Sequence, residues 1–194
     1  ELGPAFLREA DIPATPEQEQ MLRTMTDHEV IPYLREVCGL PWSEQEIMDK
    51  IIARMEDFYS TAVRPKPGLE KFLSILKMEG VWMYVATATH RRLTEKALKT
   101  AGIDHCFRGI VTSADAGSHK SESAEIYEMA LRRLQSNKRD TVVFEDALYA
   151  ARTAKAAGFR VAGVYDVTAE KDQAELQRIC DYYIRSYEEL VETL

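Results

Sequence analysis

The pattern of apolar residues changes near residue 64. Before that point apolar residues recur at three- and four-residue steps, the spacing of an amphipathic helix, and no alternation typical of a strand occurs. The spacing predicts helices over residues 18–25, 27–38 and 43–59. The buried stripe is expected to be Val30, Ile31, Leu34 and Val37 in the helix over 27–38, and Ile47, Ile51, Met55 and Phe58 in the helix over 43–59. We therefore expect an all-helical domain over residues 1–64, followed by a proline-rich segment that is predicted to be a stiff linker.

Beyond residue 64, short apolar runs alternate with amphipathic stretches. The runs predict five strands, and the stretches between and around them predict helices. The strands are expected at residues 81–87, 109–113, 141–145, 161–165 and 182–184, and the helices at 68–78, 91–101, 122–134, 147–157, 169–179 and 187–193. This alternation is typical of a parallel sheet covered by helices. Residues 65–194 are thus predicted to form a doubly wound, Rossmann-like α/β core.

Composition and charge argue against several classes of function and partner. A net charge of −7 and a pI near 5.2 argue against a basic nucleic-acid-binding face. No apolar run approaches the roughly 20 residues of a membrane span, and the first residues do not resemble a signal peptide. Three scattered cysteines fit a reducing compartment. We therefore expect a cytoplasmic protein, by default a monomer, without nucleic-acid or membrane partners.

Residues with candidate catalytic or ligand-binding side chains end or follow three of the predicted strands. Thr87 ends the first, Lys120 lies in the loop after the second, and Glu145 and Asp146 end the third. In a parallel sheet the carboxyl ends of the strands share one edge, where such folds place their ligands. A hydroxyl, an ammonium group and two carboxylates at one edge suit a phosphate and a Mg²⁺ ion.

Each of these residues also has an ordinary structural interpretation. Thr87 would equally suit a strand end or a helix cap, and Lys120 an exposed loop. Glu145 and Asp146 would suit the positive end of the following helix dipole. The positions of two further residues stay open. Lys66 would either reach the site or lie exposed in the linker, and His90 would either contact the substrate or simply precede a helix. No Gly-x-Gly motif and no zinc-ligand spacing of histidines occurs in the sequence.

The constellation resembles the haloacid dehalogenase-type phosphatases, in the branch similar to β-phosphoglucomutase with a helical cap. The matching segments are the apolar strand ending in Thr87, Lys120 ahead of Glu125-Ile126-Tyr127, and residues 142–148 with their continuation at 153–159. The resemblance implies that Thr87 and Lys120 are catalytic, that Thr87, Ala88 and Lys120 bind substrate, and that Asp146 and Glu145 hold Mg²⁺.

Two segments depart from the family pattern. The loop at Lys120 lacks the usual prolines and has one extra residue. More importantly, the family's nucleophile lies in an Asp-x-Asp motif after the first core strand, and no aspartate in this sequence has another two positions on. We therefore expect the first core strand and the nucleophile to lie upstream of the 194-residue chain, which by itself would be inactive.

These observations predict a Mg²⁺-dependent phosphohydrolase of a small phosphorylated metabolite, such as a sugar phosphate, that acts through an aspartyl-phosphate. Two alternatives remain open. One is a phosphosugar mutase of the same fold. The other is a non-catalytic protein that binds a phosphorylated ligand and has lost the nucleophile.

Overall fold

The computed structural model describes residues 2–24 and 27–193, and its contacts divide the chain into two compact units. The first unit is Glu1–Phe58 and the second is Tyr59–Leu194. The domain boundary predicted at residue 64 lies a few residues beyond this division and stays a prediction. Each unit has its own hydrophobic core, as expected for separate packing units.

The first unit is helical. Its elements are α1 (Leu2–Glu9), α2 (Pro16–Thr24), α3 (Asp27–Pro32), a single π-helical stretch (Tyr33–Val37) and α4 (Glu44–Thr61). The side chains of Ser43 and Glu46 exchange hydrogen bonds with each other's backbone, which is the capping box that starts α4. The predicted end of the second helix, Met25, lies outside the described residues.

The helix predicted over residues 27–38 occurs, but it is not α-helical throughout. The chain changes from α- to π-helical hydrogen bonding directly after Pro32, which has no amide hydrogen to donate, and Cys38 N–H then bonds to Tyr33 O at 3.1 Å. The wider turn rotates the remaining residues. Leu34 is consequently buried, whereas Val37, predicted on the same apolar stripe, is 59% exposed.

The core of the first unit is formed by apolar side chains from all its helices. Trp42 packs edge-on against Phe6, with ring centres 6.1 Å apart. The buried members are Phe6, Leu7, Leu22, Ile31, Leu34, Leu40, Ile47 and Ile51. The three- and four-residue spacing thus correctly identified Ile47 and Ile51 as the inner face of α4.

The second unit alternates helices and parallel strands. In chain order its elements are α5 (Leu69–Met78), β1 (Val85–Thr87), α6 (Arg91–Thr100), β2 (Ile110–Thr112), α7 (Ser113–Ala116), α8 (Glu125–Leu134), β3 (Val142–Glu145), α9 (Leu148–Ala156), β4 (Arg160–Val164), α10 (Gln173–Ile179), β5 (Tyr182–Ile184) and α11 (Glu188–Val191). The predicted α/β architecture with parallel strands is confirmed. Most predicted elements occur with shorter bounds, and the short helix α7 was not predicted.

The strands form two parallel sheets over one core. β1 pairs with β2, and β3 pairs with β4, which pairs with β5. One buried cluster contains Val111 of β2, Val161 of β4 and Ile126 of α8, so both sheets share the same apolar interior. Thr87 and Glu145 are the last residues of β1 and β3, and Lys120 lies between α7 and α8.

The strands β1 and β3 each lack a partner on one side within the described residues. All three residues of β1 are half-buried, whereas all three of its partner β2 are buried. On β3, Phe144 is 37% exposed, although its ring lies 5.8 Å from that of Phe72. The other outer strands of the two sheets are β2 and β5. Strand edges in α/β cores are normally paired or covered, so the half-buried β1 and the exposed Phe144 are unusual.

Candidate active site

A cavity of about 230 Å³ opens at the carboxyl ends of the strands of the second unit. Three of the predicted site residues line it: Lys120, Glu145 and Asp146. The other lining residues are Lys66, Ala86, Phe144, Val164 and Tyr187. The position agrees with the rule that open parallel sheets bind ligands beyond the carboxyl ends of their strands.

Lys120 and Glu145 form a buried ion pair at this cavity. Lys120 Nζ lies 2.5 Å from Glu145 Oε1, and the two residues are 8% and 7% exposed. Burial raises the pKa of the Glu145 carboxyl, and the ammonium group of Lys120 opposes that change. A lysine held in this way presents a fixed positive charge at the site, where it can offset charge on a bound anion.

Tyr127 completes the cluster from the buried face of α8. Its hydroxyl donates to Glu145 Oε1 at 2.8 Å, the same oxygen that accepts from Lys120. Burial, with a further contribution from the Glu145 carboxylate, raises the pKa of Tyr127, so the phenol remains a hydrogen-bond donor. Sequence reasoning placed Tyr127 in a family-like motif but assigned it no role.

Thr87 and Ala88 lie beside the cavity without lining it. Ala86 of β1 is the lining residue, and Thr87 follows as the last residue of the strand. Thr87 Oγ1 accepts a hydrogen bond from Thr89 N–H at 3.1 Å, which folds the loop after β1 into a local turn. Their substrate-binding and catalytic roles therefore stay predictions.

Asp146 follows Glu145 and has no hydrogen-bond or ion-pair partner in the described part of the chain. It lines the cavity together with Glu145. Mg²⁺ commonly takes one or two protein carboxylates, with waters and substrate phosphate completing its shell. The donor chemistry of Glu145 and Asp146 fits that arrangement, although residues 2–24 and 27–193 contain no cluster of three or more candidate ligands. Both would hold the ion, so the predicted metal role stays compatible with the geometry.

Lys66 reaches the cavity from the segment before α5. Its Nζ donates to Tyr165 O at 2.9 Å and to Asp166 Oδ2 at 2.5 Å, both after β4. The hydrogen bond from Lys66, followed by those from Thr168, lowers the pKa of Asp166 to about 2. Of the two interpretations left open for Lys66, the structure thus favours a position at the site.

Tyr187 also lines the cavity and was not among the candidate residues of the sequence. Tyr187 precedes α11, near the end of the chain, and stacks near Phe144 with ring centres 6.0 Å apart. Burial raises the pKa of Tyr187 to about 12, with smaller contributions from Asp146 and Glu145. No motif or spacing relates Tyr187 to Lys120, because the two come together only through the tertiary fold.

Comparison with curated proteins gives relatives at low to moderate identity. The chain is 24% identical over 153 residues to the Phosphorylated carbohydrates phosphatase of Thermotoga maritima, covering 78% of this chain and 70% of that protein. It is 35% identical over 98 residues to Protein CbbY of Cereibacter sphaeroides, covering 49% of this chain and 42% of that protein.

Solved structures match over almost the whole chain. A Thermotoga maritima protein provisionally named a β-phosphoglucomutase superposes with a TM-score of 0.83 at 21% identity, covering 99% of this chain and 88% of that one. CbbY from Rhodobacter sphaeroides in complex with phosphate gives a TM-score of 0.76 at 21% identity, covering 97% and 87%. At these identities the superpositions establish the fold.

None of the helices in the described part of the chain has both the length and the apolar character of a membrane span.

The family model of the haloacid dehalogenase-like hydrolases matches residues 6–164, which is most of the chain. The resemblance read from Thr87, Lys120 and the segment around Asp146 is thereby confirmed. The chain belongs to the haloacid dehalogenase-like hydrolase family.

Proposed function

We propose that the complete protein is a Mg²⁺-dependent phosphohydrolase of a small phosphorylated carbohydrate. The observation that carries the proposal is the buried Lys120–Glu145 pair at the carboxyl ends of parallel strands. Beside it lies Asp146, whose carboxylate has no partner among the described residues. Membership of the hydrolase family supports the reaction class. The substrate class is supported by the relative named Phosphorylated carbohydrates phosphatase.

The residues of this chain have distinct roles in the proposal. The hydroxyl of Thr87 and the N–H of Ala88 bind phosphoryl oxygens, as donors at a strand end commonly do. Lys120 offsets negative charge on the phosphate and on the attacking carboxylate. Asp146 and Glu145 hold Mg²⁺, which when bound would neutralise charge on the phosphoryl group. Together these groups reduce the repulsion between the attacking carboxylate and the negatively charged phosphate.

We place the nucleophile in a strand upstream of the 194-residue chain. An aspartate carboxylate there attacks phosphorus, the bond to the substrate oxygen breaks, and a second carboxylic acid protonates the departing alcohol. Water then hydrolyses the aspartyl-phosphate and releases phosphate. The unpaired edges of β1 and β3, with the exposed ring of Phe144, support a further strand at this position.

The helical unit supplies the substrate selectivity in this proposal, in the manner of a family cap. We also propose that the protein works as a cytoplasmic monomer, without nucleic-acid or membrane partners. The cytoplasmic location is supported by the scattered cysteines, and the lack of nucleic-acid partners by the acidic composition.

The test is phosphate release by the complete protein from a panel of hexose and pentose phosphates, with and without Mg²⁺. We expect turnover that Mg²⁺ restores after chelation and that Asp146→Asn reduces by at least about 100-fold. The exposed Asp172, whose side chain makes no hydrogen bond with the described residues, supplies the matched control Asp172→Asn. Full Mg²⁺-dependent activity in Asp146→Asn would remove the metal assignment.

The same assay separates the alternatives. Conversion of one sugar phosphate isomer into another without release of phosphate would identify a mutase. Binding of phosphate without any turnover, in a complete protein whose upstream sequence lacks the Asp-x-Asp motif, would identify a non-catalytic phosphate-binding protein. N-terminal sequencing and the intact mass of the purified protein decide whether that motif is present.

A further inference from the structure

The two oxygens of the Glu145 carboxylate have different surroundings. Oε1 accepts two hydrogen bonds, from Lys120 Nζ at 2.5 Å and from the Tyr127 hydroxyl at 2.8 Å. Oε2 accepts none from the described residues. The two donors come from the loop before α8 and from α8 itself, so one side of the carboxylate is held by a single, continuous segment of the chain.

The second oxygen retains some access to solvent. Within the described residues, the Ser113 hydroxyl is the one side-chain polar atom that is both sealed from solvent and without a partner. Glu145 Oε2 is therefore not sealed in, and Glu145 lines the cavity. The free oxygen is consequently the acceptor that Glu145 offers to a ligand there.

Tyr127 is held rigidly enough to orient its neighbour. It is 3% exposed, and its ring packs against Phe159 with centres 6.1 Å apart. Its hydroxyl lies 3.5 Å from Ala150 O, too far for a strong bond, so the Glu145 carboxylate is its main acceptor. Without this hydroxyl, Lys120 Nζ would be the one donor to Oε1 left among the described residues, and a single hydrogen bond leaves the carboxylate freer to turn.

We infer that Tyr127 is a positioning residue, whose hydroxyl fixes Glu145 through Oε1 so that Oε2 points into the cavity as a ligand for the divalent cation. The inference rests on the proposed function, since it assumes the cation. Groups that hydrogen-bond to a metal-ligating side chain set its orientation, and their removal commonly weakens metal affinity by roughly 10- to 100-fold.

The test compares two substitutions that each delete one tyrosine hydroxyl. Tyr127→Phe keeps the ring against Phe159. Tyr183→Phe is the matched control, because the Tyr183 hydroxyl also donates one 2.8 Å hydrogen bond, to Gln173 Oε1, away from the cavity lining. Mg²⁺ affinity of the complete protein is measured by isothermal titration. We expect about a 10-fold or greater loss for Tyr127→Phe and no change for Tyr183→Phe.

The same substitution in a Glu145→Gln variant distinguishes loss of the orientation of Glu145 from a general loss of packing. In Glu145→Gln the oriented carboxylate is already absent, so adding Tyr127→Phe should change Mg²⁺ affinity by less than about two-fold. Equal losses of affinity in Tyr127→Phe and Tyr183→Phe would overturn the inference. So would a further 10-fold loss on adding Tyr127→Phe to Glu145→Gln.

Failure of the proposed function gives a different result. If Asp146→Asn binds Mg²⁺ as tightly as the unmodified protein, the cation site is elsewhere. The crystal structure of Tyr127→Phe then decides the role of Tyr127 without reference to the metal. A turned or disordered Glu145 carboxylate supports positioning by Tyr127, and an unchanged carboxylate overturns it.

Discussion

The Nζ of Lys66 lies 2.5 Å from Oδ2 of Asp166, so an ion pair joins the segment before α5 to the turn after β4. The two side chains are 34% and 22% exposed. Asp166 accepts with its other oxygen from the N–H of Thr168 at 2.8 Å. The Asp166 carboxylate thus bonds both to the Lys66 side chain, from the segment before α5, and to the backbone of the turn after β4, close to the cavity.

Asp166→Asn should destabilise the protein at neutral pH and have a diminishing effect in acid. The pKa of about 2 lies below the usual value, so the stabilisation is present above about pH 4 and is lost as the pH falls toward 2. The asparagine keeps an oxygen for Thr168. We expect a loss of about 1 kcal/mol in the free energy of unfolding at pH 7, measured by urea denaturation. Asp172→Asn is the control, and a loss that persists unchanged to pH 2 would contradict the mechanism.

Lys120→Met should destabilise the second unit far more than loss of an exposed lysine. It leaves Glu145 buried with Tyr127 as its only hydrogen-bond donor, and breaking a buried pair costs about 3–5 kcal/mol. Lys155→Met, which removes an ion pair with Asp181 whose members are both 32% exposed, should cost less than about 1 kcal/mol.

The double variant Lys120→Met with Glu145→Gln gives the control for this prediction. Because the glutamine carries no charge, part of the lost stability should return. The measurement is the free energy of unfolding from chemical denaturation. Equal costs for Lys120→Met and Lys155→Met would show that the buried pair contributes no more than a surface one.

Gly68→Ala should be strongly destabilising for a steric reason. Gly68 has φ +79° before α5, and an added Cβ would lie 2.4 Å from the backbone nitrogen of Glu188. Gly80, just beyond the end of α5, has a similar φ of +75° but open space around its Cβ position. Gly80→Ala should therefore cost about 1 kcal/mol from backbone strain alone.

The difference between these two variants isolates the contact with α11. We expect Gly68→Ala to lower the melting temperature by several degrees more than Gly80→Ala, since close backbone contacts cannot relax cheaply. Differential scanning calorimetry is sufficient to measure it. Equal melting temperatures would mean that α11 moves aside at little cost.

Hydrogen exchange at Ala86 tests the strand that we place between β1 and β3. Val85 donates its N–H to Gly109 O at 3.0 Å, on the β2 side, so the N–H of Ala86 points to the unpaired edge. In the complete protein we expect that amide to be protected about as well as Thr87, and in the 194-residue chain to exchange much faster. Two-dimensional NMR follows both amides, and equal exchange of Ala86 in the two proteins would exclude the strand.

The elements and much of the site could be predicted because local patterns determine them. An apolar strand followed by Glu145 and Asp146 specifies a carboxylate pair at a strand end, and any parallel arrangement brings Lys120 to the same edge. The stripe of α4 identified Ile47 and Ile51 in the same way. These features depend on residues near one another in the sequence.

The remaining features depend on long-range packing. Tyr187 and Lys66 reach the cavity through contacts between distant segments, which no periodicity records. Val37 was misplaced because the change to π-helical bonding after Pro32 rotates the stripe. The exposed ring of Phe144 accompanies the pairing of β3 on one side only within the described residues.

The division into two packed units gives each unit its own fluorescent reporter. The protein has two tryptophans, of which Trp42 packs on Phe6 in the helical unit and Trp82 lies beneath the Arg108 guanidinium, 3.3 Å from the ring centre, in the α/β unit. Replacing either tryptophan with phenylalanine leaves a single tryptophan, whose emission is distinguished from that of the tyrosines by its longer wavelength. The loss of structure in each unit can then be followed separately by emission wavelength, which shows whether the units melt together or in sequence.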